Sequence, residues 1–237
     1  MKPNYGIDAL PVIRNLSLIG IVLLMCAILG FTADEKMFFH KFRFTFLAPA
    51  ISLLVTALLM ILYAQFGKYR HRDRMLAMIN WRGDEQVLDV GTGRGLLMIG
   101  AAKKLNTGKS YGIDIWNAAD LSGNKIENTL QNAEIEGVSD KIEIKEEDAQ
   151  AMTFADASFD VVLSNLCLHN IPTKEGRAKA CREIARILKP NGTAILSDFK
   201  NNKFYEKAFK EAGLKTELTF ASLLDTFPPI RILKVQK

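Results

Sequence analysis

Cysteine is scarce in this chain. Cys26, Cys167 and Cys181 are the only three in 237 residues, and their spacing supports neither a disulfide framework nor a four-cysteine zinc site. Histidine is as rare, with His40, His71 and His169, and no metal site is expected. A basic footprint is missing where a nucleic-acid enzyme would need one. The formal net charge is +5, yet residues 80–237 carry 22 basic and 22 acidic side chains, against nine and four in residues 1–79. All the excess lies in the first third, so no nucleic-acid partner is expected. Internal repeats and low-complexity segments are absent too. At 49% hydrophobic residues and a mean hydropathy of +0.06, the chain is too apolar to be disordered.

Charge itself is missing from two stretches. Residues 15–33 and 44–67, runs of 19 and 24 residues, contain no Lys, Arg, Asp or Glu. Both have the length that spans a hydrocarbon core of roughly 30 Å. A buried helical hairpin of a soluble protein would carry a polar stripe on each helix, and neither run has one. The ten-residue connection, 34–43, makes the pair a transmembrane hairpin and divides the chain into a membrane anchor, 1–70, and a domain, 71–237. Lys2, Arg14, Lys68, Arg70, Arg72 and Arg74 flank the hairpin, against Lys36, Lys41 and Arg43 in its loop. That bias places the domain in the cytoplasm of a two-helix, multi-pass membrane protein. A cleaved signal peptide is the competing reading of the first run, but no clean small-x-small site follows it. The cluster KYRHRDR (68–74) reads either as a topology signal or as a contact for anionic lipid.

Beyond Trp81 the pattern alternates. QVLDVG (86–91), SYGIDIW (110–116), KIEIKEED (141–148), FDVVLSNL (159–166) and TAILSDF (193–199) read as strands. Helices are expected over LLMIGAAKKL, over 118–136, over Thr173–Leu188 with a stop at Pro190-Asn191-Gly192, and over FYEKAFKEAG (204–213). KTELTFASL and RILKVQK supply two last strands. Strands alternating with helices imply an α/β, doubly wound, Rossmann-like sheet that is mostly parallel. Ligands on such sheets bind beyond the carboxyl ends of the strands.

The first strand ends in Asp89-Val90-Gly91-Thr92-Gly93-Arg94-Gly95. Alternate glycines allow a tight turn and close backbone approach to a ligand. A dinucleotide fingerprint is lacking, because Leu96 stands where its third glycine belongs, which disfavours a nicotinamide oxidoreductase. A P-loop is lacking as well: Gly108-Lys109-Ser110 has Lys103 at the first glycine position and precedes a strand.

Asp-x-Gly-x-Gly-x-Gly after a first strand resembles the class I S-adenosylmethionine-dependent methyltransferases, and the likeness runs from about residue 75 to 200. YGIDIW, EEDAQAMTFADASFDVVLSN and REIARILKPNGTAILSD follow in that family's order. The resemblance implies seven strands with the last antiparallel, and S-adenosylmethionine as cofactor. It implies that Asp114 holds both ribose hydroxyls, a task suited to a carboxylate with its two acceptor oxygens. Asp148 and the Ala149 backbone would meet the adenine amino group, with Ile115 packing on the ring or serving as core. Gly91, Thr92, Gly93 and Gly95 would carry the methionine moiety, with Asp89 near its amino group or merely capping the turn. Asn165 touches the methionine end or closes a turn.

The nearest branch methylates small molecules and lipids. Residues 165–168, Asn-Leu-Cys-Leu, lack the Asn-Pro-Pro-Tyr signature of base methylation. His169 follows the fourth strand where the acceptor should lie. It reads as a catalytic base or as a structural hydrogen-bonding residue. Cys167 stands alone, short of the several cysteines of arsenic methylation, and reads as packing. The expected activity is membrane-anchored methyl transfer to a small, hydrophobic or lipid-like acceptor. The alternative is a non-catalytic, membrane-bound scaffold or sensor that binds S-adenosylmethionine. Residues 200–230 match no pattern, so the acceptor atom is not legible.

Overall fold

The computed structural model describes residues 1–32, 37–117, 121–220 and 226–237, with the backbone alone for 30–32 and 37–43. Residues 34–36 of the expected hairpin loop (34–43), the start of the helix expected over 118–136, and the end of the strand KTELTFASL lie outside the described residues, while 37–43, expected in the loop, are helical. Two long apolar helices come first, α1 (Leu10–Thr32) and α2 (Met37–Leu62). They pack along each other through small residues: Ala27, Ala50 and Ala57 are buried, and Gly20 lies against Leu54. Small side chains let helix backbones approach closely where no water drives association. The outward faces are apolar and exposed, with Leu18, Val22, Met25 and Leu29 on α1 and Ile51, Val55 and Leu58 on α2. Both helices are long and apolar enough to cross a membrane.

The hairpin is not a separate module hung on a linker. α1 starts at Leu10, five residues ahead of the uncharged run, and takes in Arg14. α2 passes through a π-helical turn, Tyr63–Gly67, straight into α3 (Lys68–Ala77), whose Met75 and Leu76 are core. Residues 4–8, ahead of α1, lie on the globular part. The Asn4 amide donates to Asn132 Oδ1 at 2.8 Å, the Tyr5 hydroxyl to Glu136 at 3.1 Å and the Ile7 amide to Ser122 Oγ at 2.8 Å. The KYRHRDR cluster also differs from a uniform basic face. Lys68 and His71 are buried, the latter with Nε2 2.5 Å from Ser197 Oγ, Arg72 and Arg74 are half-buried, and Arg70 is exposed.

The sheet has seven strands: β1 (Gln86–Val90), β2 (Lys109–Asp114), β3 (Ile142–Glu146), β4 (Phe159–Asn165), β5 (Leu188–Asp198), β6 (Lys215–Phe220) and β7 (Arg231–Gln236). Their order is β3-β2-β1-β4-β5-β7-β6, with β7 antiparallel to both of its neighbours and the β1–β5 pairs parallel. This is the expected doubly wound α/β sheet. Helices α4 (Leu96–Ala102), α5 (Ile126–Ile135), α6 (Lys174–Ile187) and α7 (Asn202–Glu211) cover it. Strands β1, β4 and β5 are buried on both faces (Leu88, Val162, Ile195), which explains their near-continuous apolar runs. Strand order reverses between β1 and β4, so the crevice where ligands settle opens above their carboxyl ends.

Two local expectations change. The helix expected over 118–136 begins only at Ile126; Leu121 instead forms an antiparallel bridge with Asp8, and Lys125 is extended. Pro190-Asn191-Gly192 does not separate helix from strand. β5 already starts at Leu188, opposite Phe159, and Asn191 takes a left-handed φ of 63° where the register shifts. Thr173, expected as the first residue of that helix, instead caps α6, its hydroxyl accepting from the Gly176 amide at 3.0 Å.

Candidate active site

The tips of β1, β2, β4 and β5 converge on one edge of the sheet. After β1 the chain turns through Gly91 (φ 73°), Gly93 (53°) and Gly95 (85°), all left-handed and costly for other residues. A Cβ on Gly91 would overlap Cys167 Sγ. Asp89 is buried beneath the turn, and its Oδ2 accepts from Thr92 Oγ1 and from the Met98 amide, both at 3.0 Å. Burial pushes its carboxyl up to about 7, against the pull of those two donors. Asp89 and Thr92 therefore brace the glycine loop from inside.

Asp114 ends β2 and reaches across to that loop. Its Oδ2 accepts from the Gly93 amide at 2.8 Å, and its Oδ1 from the Trp116 amide at 2.7 Å and from Asn124 Nδ2 at 3.3 Å. Ile115 follows, 61% exposed over the cleft, an unusual setting for a large apolar side chain beside a strand tip. Asp148 faces the same cleft with its carboxylate toward Gln150 (2.8 Å to the amide), next to the buried Ala149. Gly91, Gly93, Asp114, Ile115, Asp148, Ala149 and Asn165 line this one cleft. Thr92, Asp89 and Asn165 line a small annex of it, while Gly95 stands behind, capping α4. Cys167 is a wall of the cleft. Its thiol is pushed above the ordinary range by burial and then by the carboxylates of Asp114, Asp89 and Asp198, which leaves it neutral.

His169 sits on a short 3-10 turn, Leu168–Asn170, after β4. Its Nδ1 lies 3.0 and 3.1 Å from the two oxygens of Asp198, at the tip of β5, and its ring meets Phe199 edge-on at 4.7 Å. Asp198 is itself buried and held by the Phe199 amide at 2.7 Å. A carboxylate on Nδ1 fixes the ring with Nδ1 as the donor, so Nε2 is the basic nitrogen. His169 does not line the cleft. It faces a second cavity of about 570 Å³ whose walls are largely apolar: Val12 and Leu16 from α1, Met60 from α2, and Phe227, Pro228 and Ile230 ahead of β7. The cleft and the cavity share Asp8, Leu166 and Asn170.

Several residues here escape a reading of motifs. Asp198 obeys the rule that exposed Asp114, an acid ending an apolar strand, and was open to it. Leu166 and Trp116 take left-handed φ of 53° and 56° just beyond β4 and β2, a local strain common where structure serves a site. Asp8, Tyr63 and Lys68 come from the ends of the hairpin, and only the fold brings them here.

The cleft fits an adenosyl cofactor by its own chemistry. Asn124 Oδ1, in the wall of the cleft, is buried without a hydrogen-bond partner among the described residues, and a carboxylate, an exposed isoleucine and a glycine cradle stand along the same cleft. Residues 88–196 match the family described as methyltransferase domain. The 27-O-demethylrifamycin SV methyltransferase of Amycolatopsis mediterranei is 32% identical over 133 residues, 55% of this chain and 44% of that one. The demethylmenaquinone methyltransferase of Lactiplantibacillus plantarum is 30% identical over 131 residues, 54% and 52% of the two chains. The chain thus spans about half the length of these curated relatives. Among solved structures, the [4+2]-cyclase SpnF superposes with a TM-score of 0.59 at 17% identity, covering 71% of this chain and 80% of that one. That last likeness is one of fold alone, since one fold hosts many reactions. Residues 88–196 thus match a methyltransferase domain, and the sheet has the fold seen in an S-adenosylmethionine-dependent methyltransferase from Aquifex aeolicus.

Proposed function

We propose that this protein is a membrane-anchored methyltransferase that methylates a small, apolar, lipid-soluble acceptor on the cytoplasmic side of a bilayer. One observation carries the reading: the apolar cavity beside His169 is walled by the base of the hairpin and adjoins the cofactor cleft, with which it shares Asp8, Leu166 and Asn170. A soluble core helix hides its apolar face, whereas here both helices expose theirs. The anchor, residues 1–70, and the methyltransferase domain, 71–237, then form one working unit, with the acceptor entering from the lipid. The names of two relatives, which specify a menaquinone precursor and a rifamycin, agree with an apolar ring-bearing acceptor.

Bound S-adenosylmethionine supplies a methyl group on a sulfonium, whose positive charge vanishes on transfer. Asp114 accepts from one ribose hydroxyl with the Oδ2 lone pair that Gly93 leaves free, and from the second in place of the long 3.3 Å bond from Asn124 to Oδ1. Asp148 and the Ala149 backbone meet the adenine edge, and Ile115 covers its face. Gly91, Thr92, Gly93 and Gly95 shape the turn under the methionine moiety, with Asp89 below and Asn165 at its end. Asp198 holds His169 so that Nε2 takes the proton which the acceptor loses. The apolar walls exclude water and align the acceptor, the main source of acceleration in a direct displacement.

The test is calorimetric titration of S-adenosylmethionine into the full-length protein in detergent, beside Asp114→Ala. Binding in the micromolar range that the substitution abolishes is expected. Equal binding by both proteins would overturn the assignment of the cleft.

A further inference from the structure

The annex of the cofactor cleft is unusually rich in charge. It measures about 60 Å³ and is lined by two acids, Asp8 and Asp89, and two cations, Lys68 and Arg94, around Gly91 and Thr92. Asp89 and Arg94 belong to the glycine loop. Asp8 and Lys68 do not: they stand at the two ends of the hairpin, two residues before α1 and at the first residue of α3.

The state of these groups points to a ligand. The Asp8 carboxylate receives no hydrogen bond from another residue among those described, and burial raises its pKa despite the opposing charge of Lys68. Lys68 Nζ donates to the carbonyls of Tyr5, at 2.9 Å, and Gly6, which leaves one of its three N–H donors. Arg94 Nε is shut off from solvent without a partner among the described residues. Buried polar groups rarely stay unsatisfied; Arg94 Nε is one, and the half-buried Asp8 carboxylate lines the same annex. A ligand with an ammonium and a carboxylate on adjacent atoms satisfies both.

We infer that the hairpin ends complete the cofactor site: Asp8 accepts from the α-ammonium, and Lys68 with Arg94 donates to the α-carboxylate, of the amino-acid end of S-adenosylmethionine. The inference rests on the proposed cofactor cleft and adds that the sheet alone does not bind this end. It also ties the membrane to the site, because the segment carrying Asp8 runs directly into α1 and is held to α3 through Lys68.

The test uses full-length protein in detergent and its Asp8→Asn variant, with three probes: S-adenosylmethionine, S-adenosylhomocysteine and 5′-methylthioadenosine. The last two both have uncharged sulfur, and 5′-methylthioadenosine lacks the amino-acid end. Asp8→Asn is expected to weaken the first two by about tenfold or more, as for a lost hydrogen bond to a charged group. Its affinity for 5′-methylthioadenosine and its melting temperature should be unchanged. Weakening of all three probes alike, a fallen melting temperature, or unchanged binding of the first two would overturn the inference. Wild-type protein that binds none of the three would overturn the cofactor reading itself, so the two failures are distinct.

Discussion

The two halves of the site stand on different scaffolds. The proposed cofactor half is built from tips of parallel strands, and its groups are fixed mostly by backbone: Gly93 and Trp116 amides hold Asp114, and the Met98 amide with the Thr92 hydroxyl holds Asp89. The proposed acceptor half is a seam between an apolar hairpin and the segment ahead of β7, and its walls are side chains of Val12, Leu16, Met60 and Ile230. On the proposed function, one half binds by precise polar contacts, the other by shape and exclusion of water. Substitutions should therefore act sharply on the first and gradually on the second, with His169 and Asp198 at the boundary.

The largest effect is expected at that boundary. His169→Gln should lower kcat by ~100-fold or more, the range of a lost general base, while calorimetry finds cofactor affinity intact. An unchanged kcat would leave His169 only structural. Within the cofactor half, Gly91→Ala should weaken S-adenosylmethionine by ~100-fold and lower stability by about 1–3 kcal/mol, since a left-handed φ and the Cys167 sulfur both oppose the added carbon. Gly137→Ala is the control, equally left-handed at 68° but with nothing near its Cβ. Similar losses from both would mean that strain and not the cradle matters. In the acceptor half, Met60→Trp should raise KM for the acceptor several-fold with cofactor affinity unchanged, because overfilling a cavity costs ~1–3 kcal/mol. A fall in cofactor affinity instead would break the division between the halves.

The smallest effect is one of pH. Asp89 keeps its proton in the folded state up to about 7, whereas an unfolded aspartate loses it near 3.9. The folded state then binds more protons between those values, so its contribution to stability is full below about 4 and declines as pH rises to about 7. Thermal melts of wild type should show this slope, and Asp89→Asn should flatten it. A wild-type slope that the substitution leaves intact would locate the effect elsewhere. Bound cofactor, with its ammonium near Asp89, should lower that pKa and release protons on binding near pH 7.

The cofactor half was legible in the sequence because its chemistry is local. Glycines that follow an apolar strand, and Asp114 ending the next, need no knowledge of the fold. Asp198 ends β5 as Asp114 ends β2, so it is legible by the same rule. Asp8 and Lys68 were not legible by any local rule. Beside an uncharged helix they look like flanking charges, and Lys68 is buried only because α2 continues through Tyr63–Gly67 into α3. The late start of α5 is of the same kind, since the Asp8–Leu121 bridge holds the preceding segment out of the helix. Long-range pairings of this sort leave no periodicity in the chain.

The central claim is transfer of a methyl group to something soluble in the bilayer. The most direct measurement incubates full-length protein in native membranes with S-adenosylmethionine labelled in the methyl group, then extracts the lipids. Label entering the organic phase with wild type and not with Asp114→Ala is the expected result. Label confined to water-soluble products, or equal labelling by the two proteins, would contradict it.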